Sequence, residues 1–170
     1  MAATKKVENL IKQLAQKSWW MTDKDYLRRK IKAIEALGES RDPSAVPHLI
    51  KALSDSDLHV RRYVAVALGV LGDKSAAPAL IKALSDSDLH VRAHTAESLG
   101  KFGDNSAVPH FMEALGAPDS YVHSHAAEVL DKLIDKSHVP LLTKALSDPN
   151  WNVREYAAKN LKKLGHEVGN

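Results

Sequence analysis

Histidine and glutamate recur three residues apart in two neighbouring segments of the chain. His94 and Glu97 lie in the segment VRAHTAESLG, and His125 and Glu128 hold the matching places in VHSHAAEVLD. His90 precedes His94 by four residues, so on a helix His90, His94 and Glu97 would project from one face. Such a set could ligate zinc or non-haem iron. It could also act as an acid–base pair in which the carboxylate orients the imidazole.

The composition narrows the classes of protein that could hold these groups. Of the 170 residues, 44% are apolar and 26% are charged, which is the balance of a soluble globular protein. Aromatic residues make up only 5%, while alanine, leucine and lysine are abundant, and this favours helix. The absence of cysteine excludes disulfides, thiolate metal sites and cysteine nucleophiles. No phosphate-binding loop or serine nucleophile motif is present in the sequence.

Charge and hydropathy point to an internal, water-soluble protein. The net charge is +3, and residues 1–32 carry nine Lys/Arg against three Asp/Glu. No apolar run approaches the roughly 18 residues needed to cross a bilayer, and no secretory leader is evident. We therefore expect a cytoplasmic protein without a membrane interaction.

The chain is built on an internal repeat. The segment LIKALSDSDLHVR occurs at 49–61 and again, unchanged, at 80–92, which fixes a period of 31 residues. The period aligns three further sets of residues: Val60, Val91, Val122, Val153; Leu68, Leu99, Leu130, Leu161; and Pro47, Pro78, Pro109, Pro140. Identity over thirteen residues is typical of a recent duplication and equally of a consensus-derived, engineered chain.

Two helical patterns alternate within each unit. The shorter one, SAVPHLIKAL in its first copy, starts at a serine that we expect to be the N-cap, with proline in the first turn. The longer one follows SDSD or SDPN, carries apolar residues on one face, and ends at Gly72 or Gly103. Neither helix can bury its apolar stripe alone, so the pairs must stack.

We therefore predict a single domain over residues 1–170, made of five helix pairs. An N-terminal capping pair with a tryptophan-containing insertion occupies 1–43, repeats occupy 44–146, and a C-terminal pair ends at 165. The predicted pairs are 4–17 with 23–38, 44–53 with 56–71, 75–84 with 87–102, 106–115 with 118–134, and 137–146 with 149–165. Trp19 and Trp20, within an eight-residue insertion, are expected to cover the first unit, and Trp151 to pack against the preceding turn.

The repeat resembles the HEAT repeat family, in the short form found in phycobilin lyases and in consensus-built helical-repeat binders. The motif D-x-x-V-R-x-x-A-A-x-A-L-G-x-x-G-D carries the resemblance: residues 57–73 match it except at Val64, and residues 88–104 match it except at Thr95 and Ser98. The resemblance implies an all-α fold, a right-handed α-solenoid whose longer helices line the concave surface. It also implies a ladder in which Arg61 and its equivalents, and Asp73 and its equivalents, bridge neighbouring units. His123 interrupts the arginine series, which predicts a weaker link at that unit.

Positions on the longer helix outside its apolar stripe vary between copies, while the core positions repeat. Variation confined to one face is typical of a recognition surface and equally of drift on a solvated surface. Tyrosine and histidine on such a face favour recognition, because they lose little rotamer entropy on contact. The candidate binding residues are His59, Arg62, Tyr63, His90, His94, Glu97, Tyr121, His125, Glu128, Glu155, Tyr156 and Lys159.

The function that these features favour is a non-enzymatic scaffold that binds a protein or peptide on its concave face, as a monomer and without a cofactor. The alternative is a metal-binding or catalytic protein that uses the His/Glu cluster. The HEAT-like deoxyhypusine hydroxylases hold iron with adjacent His-Glu dipeptides, whereas this chain has Ala93-His94 and Ser124-His125. Nucleic-acid binding, as in HEAT-like DNA glycosylases, is disfavoured because no basic stripe follows the predicted face. Bilin chemistry remains an association with the family alone.

Overall fold

The computed structural model describes residues 2–15, 18, 21–103, 105–116 and 120–166. Trp19 and Trp20 lie outside the described residues, and with them the predicted cover over the first unit. The described ranges contain ten α-helices: α1 Ala2–Ala15, α2 Asp23–Glu39, α3 Val46–Ala52, α4 Leu58–Leu71, α5 Ala77–Ala83, α6 Leu89–Phe102, α7 Val108–Ala114, α8 Ser120–Leu133, α9 Val139–Ala145 and α10 Trp151–Lys163. They follow the predicted order, a shorter helix and then a longer one, in five pairs.

The helices group into two compact units. One comprises Met1–Phe102 and the other Gly103–Asn170. The prediction of one domain over the whole chain stays a prediction, and each unit is described by itself below.

The repeated apolar positions form the core of both units. In α4, Val60, Val64 and Leu68 are at most 1% exposed. In the second unit, Val122 and Leu130 of α8 are buried in the same way. Burying one such side chain contributes about 1.5–3 kcal/mol, so the stacked layers supply the main driving force for folding.

The short helices α3, α5 and α9 each follow a 3-10 turn that an aspartate caps, so the serine caps predicted there are wrong. The turn before α7 follows residue 104, which lies outside the described residues. The carboxylate of Asp73 accepts a hydrogen bond from the backbone N–H of Ser75 at 2.9 Å, and the same bond recurs at Asp42 and Asp135. The carboxylate of the aspartate two residues before the serine accepts from the first free backbone N–H of the turn. The serine therefore lies inside the turn. This bond from the Ser75 backbone lowers the pKa of Asp73.

Adjacent long helices touch through small residues. A methyl group added at Gly38 of α2 would lie 2.8 Å from the Cα of Ala67 in α4. One added at Gly69 of α4 would lie 2.7 Å from the Cβ of Ser98 in α6. Since real Cβ atoms do not approach other atoms this closely, the contacts require residues without a side chain at positions 38 and 69.

An ion pair joins successive repeats of the first unit. The Arg61 guanidinium donates from Nε and Nη2 to the two carboxylate oxygens of Asp86, at 2.8 and 2.9 Å. Lys30 and Asp55 form the equivalent pair one repeat earlier. A ladder is therefore present, but the prediction of Asp73 and Asp135 as its acidic members was wrong, and Asp104 lies outside the described residues. Asp73, which was expected to join it, caps a turn instead, because an acid at position 86 lies closer to the guanidinium fork.

The corresponding pair is replaced in the second unit. His123 stands where the repeat would place an arginine, and its Nδ1 donates to the carbonyl of Leu115 at 2.8 Å. The carboxylate of Asp148, the equivalent of Asp86, accepts only from the backbone N–H of Asn150 among the bonds formed by described residues. The weaker link predicted at His123 therefore corresponds to a missing ion pair.

The Arg61–Asp86 pair should make folding stability depend on pH. Burial raises the pKa of Asp86, but the hydrogen bonds and charge of Arg61 outweigh it and hold that pKa below the usual range. A carboxyl with a lowered folded pKa stabilises fully above its unfolded pKa of about 3.9 and loses that contribution as the pH falls through the folded value. We expect Asp86→Asn to lower the free energy of unfolding by about 1–2 kcal/mol at pH 7 and by much less at pH 3, measured by urea unfolding.

Asp148→Asn is the matched control. Asp148 accepts the same backbone hydrogen bond as Asp86, and Arg154 bonds its backbone carbonyl as Arg92 bonds that of Asp86, but its carboxylate has no equivalent of Arg61, because His123 stands in that place. Its substitution should cost less at pH 7 than Asp86→Asn. Equal losses for the two variants at both pH values would show that the ion pair contributes nothing.

The end of α2 holds a non-glycine residue in a left-handed conformation. Arg41 has φ 55°, whereas the equivalent position after α4 is Gly72 with φ 73°. A side chain in this region costs about 1–2 kcal/mol, part of which is offset because glycine is more flexible in the unfolded chain.

Arg41→Gly should therefore raise the free energy of unfolding by about 0.5–1 kcal/mol, seen as a higher urea midpoint. The reciprocal variant Gly72→Arg should lower it. A loss of stability in Arg41→Gly would contradict the strain assigned to this position.

Candidate functional site

An open groove of about 710 Å³ lies on the face of the first unit that α2, α4 and α6 share. Its lining residues are Lys32, Glu35, Ala36 and Glu39 from α2, Arg62, Tyr63, Val66, Ala67 and Val70 from α4, and His94 from α6. Three of the residues predicted from the sequence, Arg62, Tyr63 and His94, are therefore brought together.

The α4 side of the groove is apolar. Val66 is half-buried, and Val70 is 53% exposed although it directly follows the buried residues Leu68 and Gly69. Tyr63 is also half-buried, and the Arg62 guanidinium lies 5.0 Å from the centre of its ring. A cation over a ring face is attracted by the ring quadrupole, so the contact restrains both side chains at the start of the groove.

The α2 side is charged. Lys32, Glu35 and Glu39 are all exposed. Within the described part of the chain, none of the three forms an ion pair. Their charges therefore face the groove and solvent.

The histidines of α6 do not gather as a ligand set would. The Nδ1 of His94 bonds to the backbone carbonyl of His90 at 2.8 Å, so Nδ1–H donates and Nε2 is the remaining ring nitrogen. His90 and its equivalent His59 are exposed in the first turns of their helices and do not line the groove. No group of three or more His, Asp or Glu in the described residues could hold a metal ion.

The two predicted glutamates are engaged by lysines of their own helices. Glu97 accepts from Lys101 at 3.0 Å in α6, and Glu128 accepts from Lys132 at 2.8 Å in α8. The Lys132 hydrogen bond lowers the pKa of Glu128. Exposed i,i+4 pairs of this kind are worth a few tenths of a kcal/mol, so they serve as surface pairs of the helix.

The remaining predicted residues lie in the second unit. Tyr156 is half-buried in α10, and its hydroxyl donates to the carboxylate of Asp131 at 2.9 Å. His125 is half-buried, whereas Glu155 and Lys159 are exposed. The side chain of Tyr121 lies outside those that the structure describes.

Sequence reasoning missed the α2 wall of the groove. Subtracting one period of 31 from Tyr63 and Val66 gives Lys32 and Glu35, so the signal was present. The eight-residue insertion breaks the period before α2, and this concealed that the 31-residue spacing holds from α2 onwards. Trp151, which was expected to pack against the preceding turn, is 61% exposed at the start of α10.

Comparison with known proteins identifies the family. The family model for HEAT repeats matches residues 7–82, 60–127 and 108–169. The chain is a HEAT repeat protein. Together with the helix pairs, this confirms the predicted resemblance and the predicted fold class, an all-α solenoid. None of the described helices of this HEAT repeat protein is long and apolar enough to span a membrane.

Solved structures of similar fold come from proteins of different function. The complex of CpcE and CpcF of phycocyanin lyase from Nostoc sp. PCC7120 is 31% identical with a TM-score of 0.63, and 94% of this chain covers 65% of that one. Human deoxyhypusine hydroxylase with glycerol is 20% identical with a TM-score of 0.66, over 98% and 65% of the two chains. An engineered protein is 21% identical with a TM-score of 0.55, over 93% and 78%. No curated protein gives a significant sequence match.

This HEAT repeat protein thus spans less than two thirds of the phycocyanin lyase chain that it resembles. The likeness to the hydroxylase and to the engineered protein shows the fold alone.

The Tyr156 phenol should titrate later than an ordinary tyrosine. Burial raises its pKa, and the hydrogen bond to Asp131 raises it further, because ionisation would place two negative charges side by side. In the folded protein, Tyr156→Phe should therefore leave the rise in phenolate absorbance near pH 10 unchanged. In the urea-unfolded chain, which has four tyrosines, the same variant should remove about a quarter of the amplitude. A lost component near pH 10 in the folded protein would contradict the assignment.

Proposed function

We propose that this HEAT repeat protein is a non-enzymatic scaffold that binds a protein or peptide partner in the groove of α2, α4 and α6. The observation that carries the proposal is the composition of the groove. An exposed apolar strip at Val66 and Val70 is bordered by an aromatic residue, Tyr63, and by charged side chains on α2. Protein interfaces have this arrangement, an apolar and aromatic centre within a polar rim.

The chemistry of the lining supports recognition over catalysis. His94 uses one ring nitrogen to bond its own helix, and Arg62 lies over Tyr63. Side chains restrained in this way lose little further entropy when a partner binds. The groove is also open to solvent along the face that α2, α4 and α6 share, which suits the side chains of a macromolecule.

The structural likeness to a two-protein complex supports a protein partner. The phycocyanin lyase structure is that of CpcE bound to CpcF, so a fold of this kind takes part in protein assembly there. The wider prediction, in which His125, Glu128, Glu155, Tyr156 and Lys159 of the second unit also contact the partner, remains part of the proposal.

Val70→Asp should abolish partner capture. The substitution places a charge on the apolar strip, and desolvating that charge on binding would cost several kcal/mol; at 53% exposure the fold should tolerate it. We expect at least a tenfold loss of the captured protein, quantified by mass spectrometry, with an unchanged circular dichroism spectrum.

Leu58→Asp is the matched control. Leu58 is another exposed apolar residue of α4, at 37% exposure, and it does not line the groove. This variant should capture the same partner as the unmodified protein. Equal capture by Val70→Asp and by the unmodified protein would refute the proposed function.

A further inference from the structure

The two ends of the groove carry opposite charge. Lys32 and Arg62 lie at the end where α2 and α4 enter the groove, and Glu35 and Glu39 extend along α2 towards its C-terminus. Lys32 and Glu39 are seven residues apart, which corresponds to about 10.5 Å along a helix. The groove therefore has a basic end and an acidic end, and the apolar strip of α4 lies opposite the acids, with Val66 level with Glu35 and Val70 level with Glu39.

The two glutamates of the acidic end do not stabilise α2, the helix that carries them. Glu35 and Glu39 are four residues apart, and like charges at that spacing destabilise a helix by a few tenths of a kcal/mol. The equivalent positions of α6 hold Glu97 and Lys101, which form an ion pair at 3.0 Å. The two charges of α6 thus pair with each other, whereas α2 directs two carboxylates into the groove.

We infer that the groove accommodates an amphipathic α-helix of a partner protein, lying in the same direction as α2 and α4. Its acidic residue at position i would face Lys32 and Arg62, apolar residues at i+3 and i+4 would cover Val66, and a basic residue at i+7 would approach Glu39 beside Val70. This deepens the proposed function, on which it rests, by naming the chemistry and direction of the partner.

The spacing of the charges selects a helix over an extended peptide. Seven helical residues span about 10.5 Å and return the side chain at i+7 to the face of residue i. An extended chain covers the same distance in about three residues, and its side chains alternate between faces. Its acidic and basic residues would then point in opposite directions, so only one of the two charged ends could be satisfied.

The direction follows from the same charges. An acidic residue near the N-terminus of a helix and a basic residue near its C-terminus both stabilise the helix through its dipole. A partner helix aligned with α2 and α4 meets the basic end of the groove with its N-terminal turn. Binding and the intrinsic stability of the partner helix therefore favour the same arrangement.

Selection from a phage library tests this inference. The library displays a helical hairpin with positions i, i+3, i+4 and i+7 of one exposed face randomised. Against the unmodified protein, we expect enrichment of acidic residues at i, apolar residues at i+3 and i+4, and basic residues at i+7. The most enriched hairpin should bind at least tenfold more tightly, by fluorescence anisotropy, than the same hairpin with its two charged residues exchanged.

A charge-exchanged protein provides the decisive comparison. Lys32→Glu combined with Glu39→Lys should invert the preference between the two hairpins. The matched control exchanges two exposed charges of the short helices α7 and α9, Glu113→Lys with Lys144→Glu, which lie outside the groove and should leave the preference unchanged.

The outcomes separate the inference from the function on which it rests. Hairpins that lose binding with Val70→Asp but show no charge order, or an order unaffected by the exchange, would overturn the inferred partner and leave groove recognition intact. A library that yields no groove-dependent hairpin, while Val70→Asp still abolishes capture of the natural partner, would also overturn the helical partner. Loss of the Val70→Asp effect in both experiments would overturn the proposed function itself.

Discussion

The close approach of successive long helices is the constraint on which the groove depends. Gly38 contacts Ala67, and Gly69 contacts Ser98, at distances that leave no room for a side chain at either glycine. A larger residue at position 38 would separate α2 from α4 and move the charged wall of the groove away from its apolar strip. Backbone proximity, set by two glycines, thus fixes the width of the surface that a partner would meet.

The residues that hold the repeats together and the residues that line the groove occupy different positions of the same 31-residue period. The buried valines and leucines and the Arg61–Asp86 pair recur because each junction needs them. The groove columns differ between copies: Lys32, Tyr63 and His94 occupy one column, although their helices pack alike. A surface can vary in this way because exposed positions contribute little to stability.

The helix pairs could be predicted closely because each boundary coincides with a strong local signal. Proline opens the short helices and glycine closes α4, so the predicted ranges differ from the observed ones by a few residues. The caps were misassigned because Asp73 and Ser75 are both good capping residues, and only geometry shows which one reaches the free N–H.

The site was predicted in part, for a similar reason. A comparison of equivalent positions in the repeats identified Tyr63 and His94, because tyrosine and histidine on a helix surface favour recognition. Glu35 and Glu39 were not identified in this way. Acidic residues on an exposed helix face are common, and they indicate a binding site only when their neighbours in the fold are known. The ion-pair partner of Arg61 could not be predicted either. Several aspartates lie near it along the sequence, and the sequence does not show which of them is closest in the fold.

The contacts that join repeats each close within one period, 25 residues from Arg61 to Asp86 and 29 from Gly69 to Ser98. A tandem copy of residues 62–92 inserted after position 92 would therefore bring with it every partner that its own junctions need. The molecule can grow in whole units, each adding one long helix to the shared face, whereas an insertion of any other length within a repeat would misalign the ion pairs and the glycine contacts together. Duplication alone would therefore widen the shared face across its helices, one long helix at a time, without redesign of the core.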